Sequence, residues 1–126
     1  MKEYIIYKGE SFTIEWYFNE SGKSEAKAYF DELDEAQQIK FLGLVKLFGD
    51  RGKIFNKGKF NNEGDKIYAF KSKPDRFLCF FQKGKKVIVT NAFHKKQQKL
   101  PKGEKEKALK RMDDYMSRYA KGDYYD

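Results

Sequence analysis

Residues 67–101, IYAFKSKPDRFLCFFQKGKKVIVTNAFHKKQQKLP, decide the fold of this chain. Three runs rich in aromatic and β-branched residues, Ile67 to Lys71, Phe77 to Phe81 and Lys86 to Phe93, read as strands. Between them lie Lys73-Pro74-Asp75 and Gln82-Lys83-Gly84-Lys85, both with turn chemistry. Connections this short join antiparallel neighbours, so a meander is expected. Beyond Pro101 and Gly103, Ala108, Leu109, Met112, Tyr115, Met116 and Tyr119 recur at helical spacing, which predicts a C-terminal helix packed back on the sheet. The closing Asp-Tyr-Tyr-Asp is expected to fray.

Towards the N-terminus, a charged leader precedes Phe12 to Phe18, FTIEWYF, a further strand closed by Asn19, Ser21 and Gly22. From about Ser24, Ala26, Tyr29, Phe30 and Leu33 fall at helical spacing. Asp34 with Gln37 three residues later is a capping-box pattern, so a second helix starts there and runs to about Phe48. Its apolar stripe is Phe41, Leu44, Val45 and Phe48, joined by Ile39 and Leu42. Residues 49 to 66 carry four glycines and three asparagines, which reads as a loop with a short strand near Ile54 and Phe55. The expected class is α+β, a single domain over residues 1–126 in the order β-α-α-β-β-β-α. Its antiparallel sheet is packed by an N-terminal helical hairpin and a C-terminal helix.

The charge is uneven. Residues 83 to 111 hold eleven Lys or Arg against Glu104 and Glu106, a net of +9 in a chain whose total is +8. Such a run attracts polyanions, nucleic acid first among them, though acidic proteins and anionic membrane surfaces feel the same field. No segment approaches the roughly 18 consecutive apolar residues of a membrane span, and the N-terminus reads unlike a secretory signal, so a cytoplasmic protein is expected. Cys79 is the single cysteine and sits in an apolar run, which makes it a core thiol. Neither a phosphate-binding loop, a dinucleotide fingerprint, a nucleophile elbow nor a zinc spacing is present, so no cofactor and no metal are expected.

The order of short motifs carries a resemblance. Ile67-Tyr68-Ala69-Phe70-Lys71, then Arg76-Phe77-Leu78-Cys79-Phe80-Phe81, then Phe93-His94-Lys95-Lys96-Gln97-Gln98-Lys99-Leu100-Pro101 before a helix resemble the C-terminal half of HigB-type toxins of the RelE/ParE superfamily, in a phage-derived branch. Lys59 and Phe60 resemble the Lys-x-Leu that tends to precede the first of these strands, and the helical hairpin agrees with that topology. Coverage runs over residues 12 to 119. Ala69 stands where the pattern usually has Glu, and Lys71 where it has Arg, which keeps the charge but loses the bidentate fork.

The resemblance implies the toxin of a type II toxin–antitoxin system, a ribosome-dependent mRNA endonuclease that inhibits translation. Its partners would be a cognate antitoxin of helix-turn-helix type, the ribosome and mRNA, with no membrane. The alternative is a non-enzymatic inhibitor of the same fold, directed at an acidic protein or a gyrase-type target. Metal-free RNA cleavage needs a base for the 2′-hydroxyl, cations for the phosphorane and an acid for the departing 5′-oxygen. With His94 the lone histidine, a two-histidine mechanism within one protomer is excluded and lysines share the work. If Val87, Val89 and Phe93 face the helices, His94 lies on the open side of the sheet. Parity does not fix which faces of the neighbouring strands coincide; the expectation is that Lys71, Arg76, His94 and Lys95 converge on one concave sheet surface as the catalytic group, with Arg76 as the phosphate clamp. Lys59, Lys96, Lys99 and Lys102 are expected to grip RNA. From Lys99 to Arg111 the lysines fit either a solvated helix face, paired with Glu104 and Glu106, or a binding surface.

Overall fold

The computed structural model describes residues 2–96 and 99–125. The strands are β1 (Ile5–Lys8), β2 (Thr13–Trp16), β3 (Phe60–Gly64), β4 (Ile67–Ser72), β5 (Asp75–Gln82) and β6 (Lys86–His94). The helices are α1 (Glu25–Glu32), α2 (Glu35–Arg51) and α3 (Lys102–Ala120). They build an α+β architecture around one six-stranded open sheet of order β1-β2-β6-β5-β4-β3, antiparallel except where β2 runs parallel to β6. The helices α1 and α2 cover one face and α3 covers the other, so two apolar layers sandwich the sheet.

The helices begin where their caps place them. Ser24 accepts from the Lys27 N–H at 3.2 Å, and Asp34 accepts from the Gln37 N–H at 2.9 Å. The reciprocal half of the capping box is absent, because the Gln37 amide reaches instead to Asp75 and to the Lys73 carbonyl. Gly52 ends α2 in the left-handed region, φ 77°, and donates to the Phe48 carbonyl. Phe41, Val45 and Phe48 are buried at i, i+4 and i+7, and Phe41 stacks on Phe77 with centroids 3.8 Å apart. Ile39 and Leu42, expected in the same stripe, are instead exposed.

Both outer strands were hidden in the sequence. The leader contains β1, whose four residues pair with β2, and its following Gly9 lies against the end of α2. A Cβ at Gly9 would stand 2.2 Å from the Gly49 carbonyl carbon, while the Ser11 and Phe12 N–H groups donate to the Gly49 carbonyl oxygen. At the other edge β3 is Phe-Asn-Asn-Glu-Gly, a composition that strands avoid, and Ile54 and Phe55 lie in no strand, Phe55 being 84% exposed. The parallel β2–β6 pair corrects the expectation of a wholly antiparallel sheet.

The alternation along β6 is interrupted. Leu78 pairs with Asn91 but Cys79 pairs with Val89, so Thr90 is an extra residue, a β-bulge. Its hydroxyl serves Leu78 and Asn91, and the Arg111 guanidinium donates to its carbonyl at 3.1 Å. Val87, Val89 and Ala92 therefore lie in the α1/α2 layer, and Ile88 and Phe93 in the α3 layer.

The C-terminal tail docks rather than frays. Tyr124 is 1% exposed, its hydroxyl accepts from the Phe18 N–H at 2.9 Å, and Tyr125 donates to the buried Glu15 carboxylate at 2.7 Å. Aromatic bulk explains the difference, because Tyr124 packs edge-on against Tyr115 and Tyr125 and fills the end of the α3 layer. Tyr124→Ala is expected to lower unfolding stability in urea by about 3–5 kcal/mol, as for other large buried aromatics. A loss below about 0.5 kcal/mol would mean that the tail is ornamental.

Candidate functional site

The hairpin β4–β5 turns through Lys73 and Pro74, and both ends of that turn are anchored. Asp75, 2% exposed, accepts from the Tyr29 hydroxyl of α1 at 2.5 Å and from the Gln37 amide of α2 at 3.0 Å. Burial and the Asp75 hydrogen bond both raise the Tyr29 pKa. On the far side the Lys95 N–H donates to the Pro74 carbonyl at 2.9 Å. The positions of Arg76 and Lys95 are thereby fixed to the body of the protein.

Cross-strand register sorts the expected site residues by face. Lys71 pairs with Arg76, and both share the parity of Ala69, Leu78 and Phe80, which belong to the α3 layer. Arg76 pairs with Phe93, so Lys95, two residues on, shares that face. His94 pairs with Asp75, and Ala92 and Phe77 beside them belong to the α1/α2 layer. The bulge at Thr90 is responsible: it reverses the parity on which His94 was grouped with the others. Lys71, Arg76 and Lys95 come together, and His94 stands exposed on the opposite face at the strand end. That separation corrects the expected four-residue convergence.

Glu63 completes the cluster. Its carboxylate lies 4.0 Å from the Lys71 ammonium, both side chains being mostly buried, and it also acts electrostatically on Arg76. Sequence reading missed it because Asn61, Asn62 and Gly64 make its surroundings read as loop; recognising β3 as an edge strand would have put Glu63 beside β4. The carboxylate that the motif lacks at Ala69 is thus present in the neighbouring strand.

The charges at this face are imperfectly compensated. Arg76 is 9% exposed, its Nη1 donates to the Asp75 carbonyl at 3.1 Å, and its Nε is buried without a hydrogen-bond partner. Among the described residues no carboxylate lies within 4.0 Å of the Arg76 guanidinium. Burial presses its pKa downward, yet a guanidinium keeps its proton at any physiological pH, so the site holds a fixed, underpaired cation. Lys71 is also pushed below the usual lysine range, first by burial and then by the charges of Arg76, Lys95 and Lys73, against the opposing pull of Glu63.

The basic run divides in two. Lys105 pairs with Asp65 at 2.8 Å, Lys107 with Glu25 and Glu104, and Arg111 with Glu25 at 2.6 Å, so these charges are spent inside the molecule. Lys96, Lys99 and Lys102 are exposed and have no carboxylate partner among the described residues. They edge the segment between β6 and α3, beside Lys95. Lys59 is exposed just before β3, its carbonyl accepting from the Lys71 N–H at 2.8 Å. Gln97 and Gln98, part of the third motif, lie outside the described residues. Cys79 is fully buried and its thiol pKa is raised by that burial, which leaves it chemically inert. No helix is long and apolar enough to cross a membrane.

A helical hairpin thus covers one face of the sheet, and a buried arginine stands among lysines on the other. The chain belongs to the phage-derived protein Gp49-like family (DUF891), whose model matches residues 28–113, from within α1 through β6 and into α3. This RelE-like family is associated with the toxins of toxin–antitoxin systems. No curated protein matches the chain.

The Glu63–Lys71 pair has a direct readout. In heteronuclear NMR of the lysine ammonium groups, Lys71 is expected to titrate below the exposed lysines, and Glu63→Gln to lower its midpoint further. Because folding weakens proton binding at Lys71, the unfolded chain holds more protons between the two midpoints, and this residue makes stability rise with pH in that window. A Lys71 midpoint that is ordinary and indifferent to Glu63→Gln contradicts the arrangement.

Proposed function

We propose that this protein is the toxin of a type II toxin–antitoxin pair, HigB-like, and that it cleaves mRNA on the ribosome without a metal. The observation that carries this reading is Arg76: a mostly buried guanidinium with no carboxylate partner among the described residues, set between two lysines, which an incoming phosphate would complete. In the proposed step the 2′-oxygen attacks the adjacent phosphorus as the P–O5′ bond breaks, leaving a 2′,3′-cyclic phosphate and a 5′-hydroxyl. The Glu63–Lys71 pair takes the 2′-hydroxyl proton. Lys95 donates a proton to the departing 5′-oxygen, and Arg76 stabilises the charge on the non-bridging oxygens.

Lysine is a poor acid and base at neutral pH unless its pKa falls, and the burial and crowding of Lys71 push in that direction. The remaining deficit is one of positioning, which the ribosome supplies by holding the scissile phosphate in line. Lys96, Lys99 and Lys102 contribute phosphate contacts around the site, so binding weakens steeply as salt rises. The expected protein partner is the cognate antitoxin.

Induced expression separates the roles. Arg76→Ala and Lys71→Ala are each expected to lower inhibition of reconstituted translation by at least about 100-fold, the scale of losing one transition-state donor. Arg76→Lys should be intermediate, and His94→Ala should remain within about threefold of the parent. Abolition by His94→Ala with retention by Arg76→Ala would overturn the assignment.

A further inference from the structure

A second basic concavity lies around the end of β4, on the α2 side. It is an open cleft of about 360 Å³ bordered by Lys40 and Leu44 of α2, Asn56 and Lys59 of the loop before β3, and Lys71 and Lys73. Among the described residues no carboxylate lines it. Of its four lysines only Lys71 has a counterion among the described residues, Glu63. The Asn56 side-chain Oδ1 already accepts from the Gly58 N–H at 2.8 Å, which leaves its side-chain amide N–H groups to offer. Ser72 in the wall is 4% exposed and its hydroxyl has no partner. Donors and positive charges thus surround a space in which, among the described residues, only Lys71 is paired with a carboxylate, and their complement is an anion.

Size and the apolar wall narrow the class. A cleft of a few hundred cubic ångströms belongs to the range that holds small molecules, and it is far larger than a bare phosphate needs. Leu44 and the methylene stems of the lysines give it a surface on which a planar, weakly polar group can rest. Lys71 borders this cleft and the Arg76 face alike, so one flexible anionic strand passing the end of β4 would meet both.

We propose that this cleft holds one nucleotide of the same single-stranded RNA whose scissile phosphate lies against Arg76, with Lys40 and Lys73 on its phosphate and its base against Leu44. This deepens the ribonuclease reading and rests on it. The site would set the register in which the strand presents its phosphates.

The test uses the full chain and a short fluorescent, 2′-O-methylated RNA that cannot be cleaved, titrated by anisotropy at several salt concentrations. The variant carrying Lys40→Ala and Lys73→Ala is expected to bind about tenfold more weakly. Its logarithmic salt slope should be shallower by about 0.7, for one phosphate neutralised on a single strand. Adenosine monophosphate should displace the RNA from Arg76→Ala protein but not from the double variant, at concentrations where inorganic phosphate displaces little. Unchanged affinity and slope in the double variant, with loss in Arg76→Ala, would overturn the cleft and leave the functional reading intact. Indifference to both substitutions would overturn both. Equal displacement by inorganic phosphate would exclude a nucleotide site, and tighter binding of polyglutamate than of RNA would make the cleft an acidic-peptide site instead. Both lysines are exposed, and Lys40→Gln with Lys73→Gln, checked by thermal melting, guards against a folding artefact.

Discussion

The single extra residue in β6, Thr90, governs what this protein presents to its surroundings. A strand alternates its side chains with a period of two, so inserting one residue exchanges the faces of everything beyond it. Upstream of the bulge, Val87 and Val89 face the helical hairpin; downstream, Phe93 faces α3 and carries Lys95 with it. The bulge is held by buried polar contacts: the Thr90 hydroxyl on Leu78 and Asn91, the Arg111 guanidinium on its carbonyl, and the Asn91 amide on Glu104 at the start of α3. These bonds join the bulge to the helix that flanks the basic face. The shape of that face and the identity of its residues are one structural fact.

What the bulge assembles is an electrostatic imbalance. Burying a cation is costly unless something compensates it, and proteins ordinarily place a carboxylate there. Here Glu63 approaches Lys71, Arg76 keeps an unpartnered Nε, and Lys95 adds a further charge. The deeply seated Asp75 could have neutralised Arg76, but its oxygens are engaged by Tyr29 and Gln37 on the other face. The fold thus uses its available acid to anchor the turn and leaves the arginine open to an external anion. On the proposed reading a phosphate supplies that anion, and the exposed lysines between β6 and α3 extend the same field outward.

Most of the framework was legible in the sequence because local signals agreed with one another. Ser24 and Asp34 cap the helices they announce, the three central strands carry strong β residues, and the turns at 73–75 and 82–85 fall where proline and glycine put them. The edge strands were hidden because they need little propensity: β1 is four residues long, and β3 borrows its order from β4 despite two asparagines and a glycine. The tail looked polar and terminal, yet Tyr124 finds a buried acceptor role and an aromatic pocket that only tertiary structure supplies. The site was legible in part. Motif order pointed to Lys71, Arg76 and Lys95, which the fold brings to one face; Glu63 was lost with its strand, and His94 was put on the wrong face because a bulge leaves no mark in a pattern of apolar residues. Arginine and lysine identities survive such an error, whereas face assignments do not.

The central claim is that the Arg76 face acts on messenger RNA itself. Its most direct test maps RNA ends in a purified translation reaction to which the protein is added. The account predicts discrete new 5′-hydroxyl ends in the translated message, dependent on ribosomes, unaffected by chelators and absent with Arg76→Ala. Halted translation over an intact message, or a block to DNA replication with translation unharmed, would contradict it.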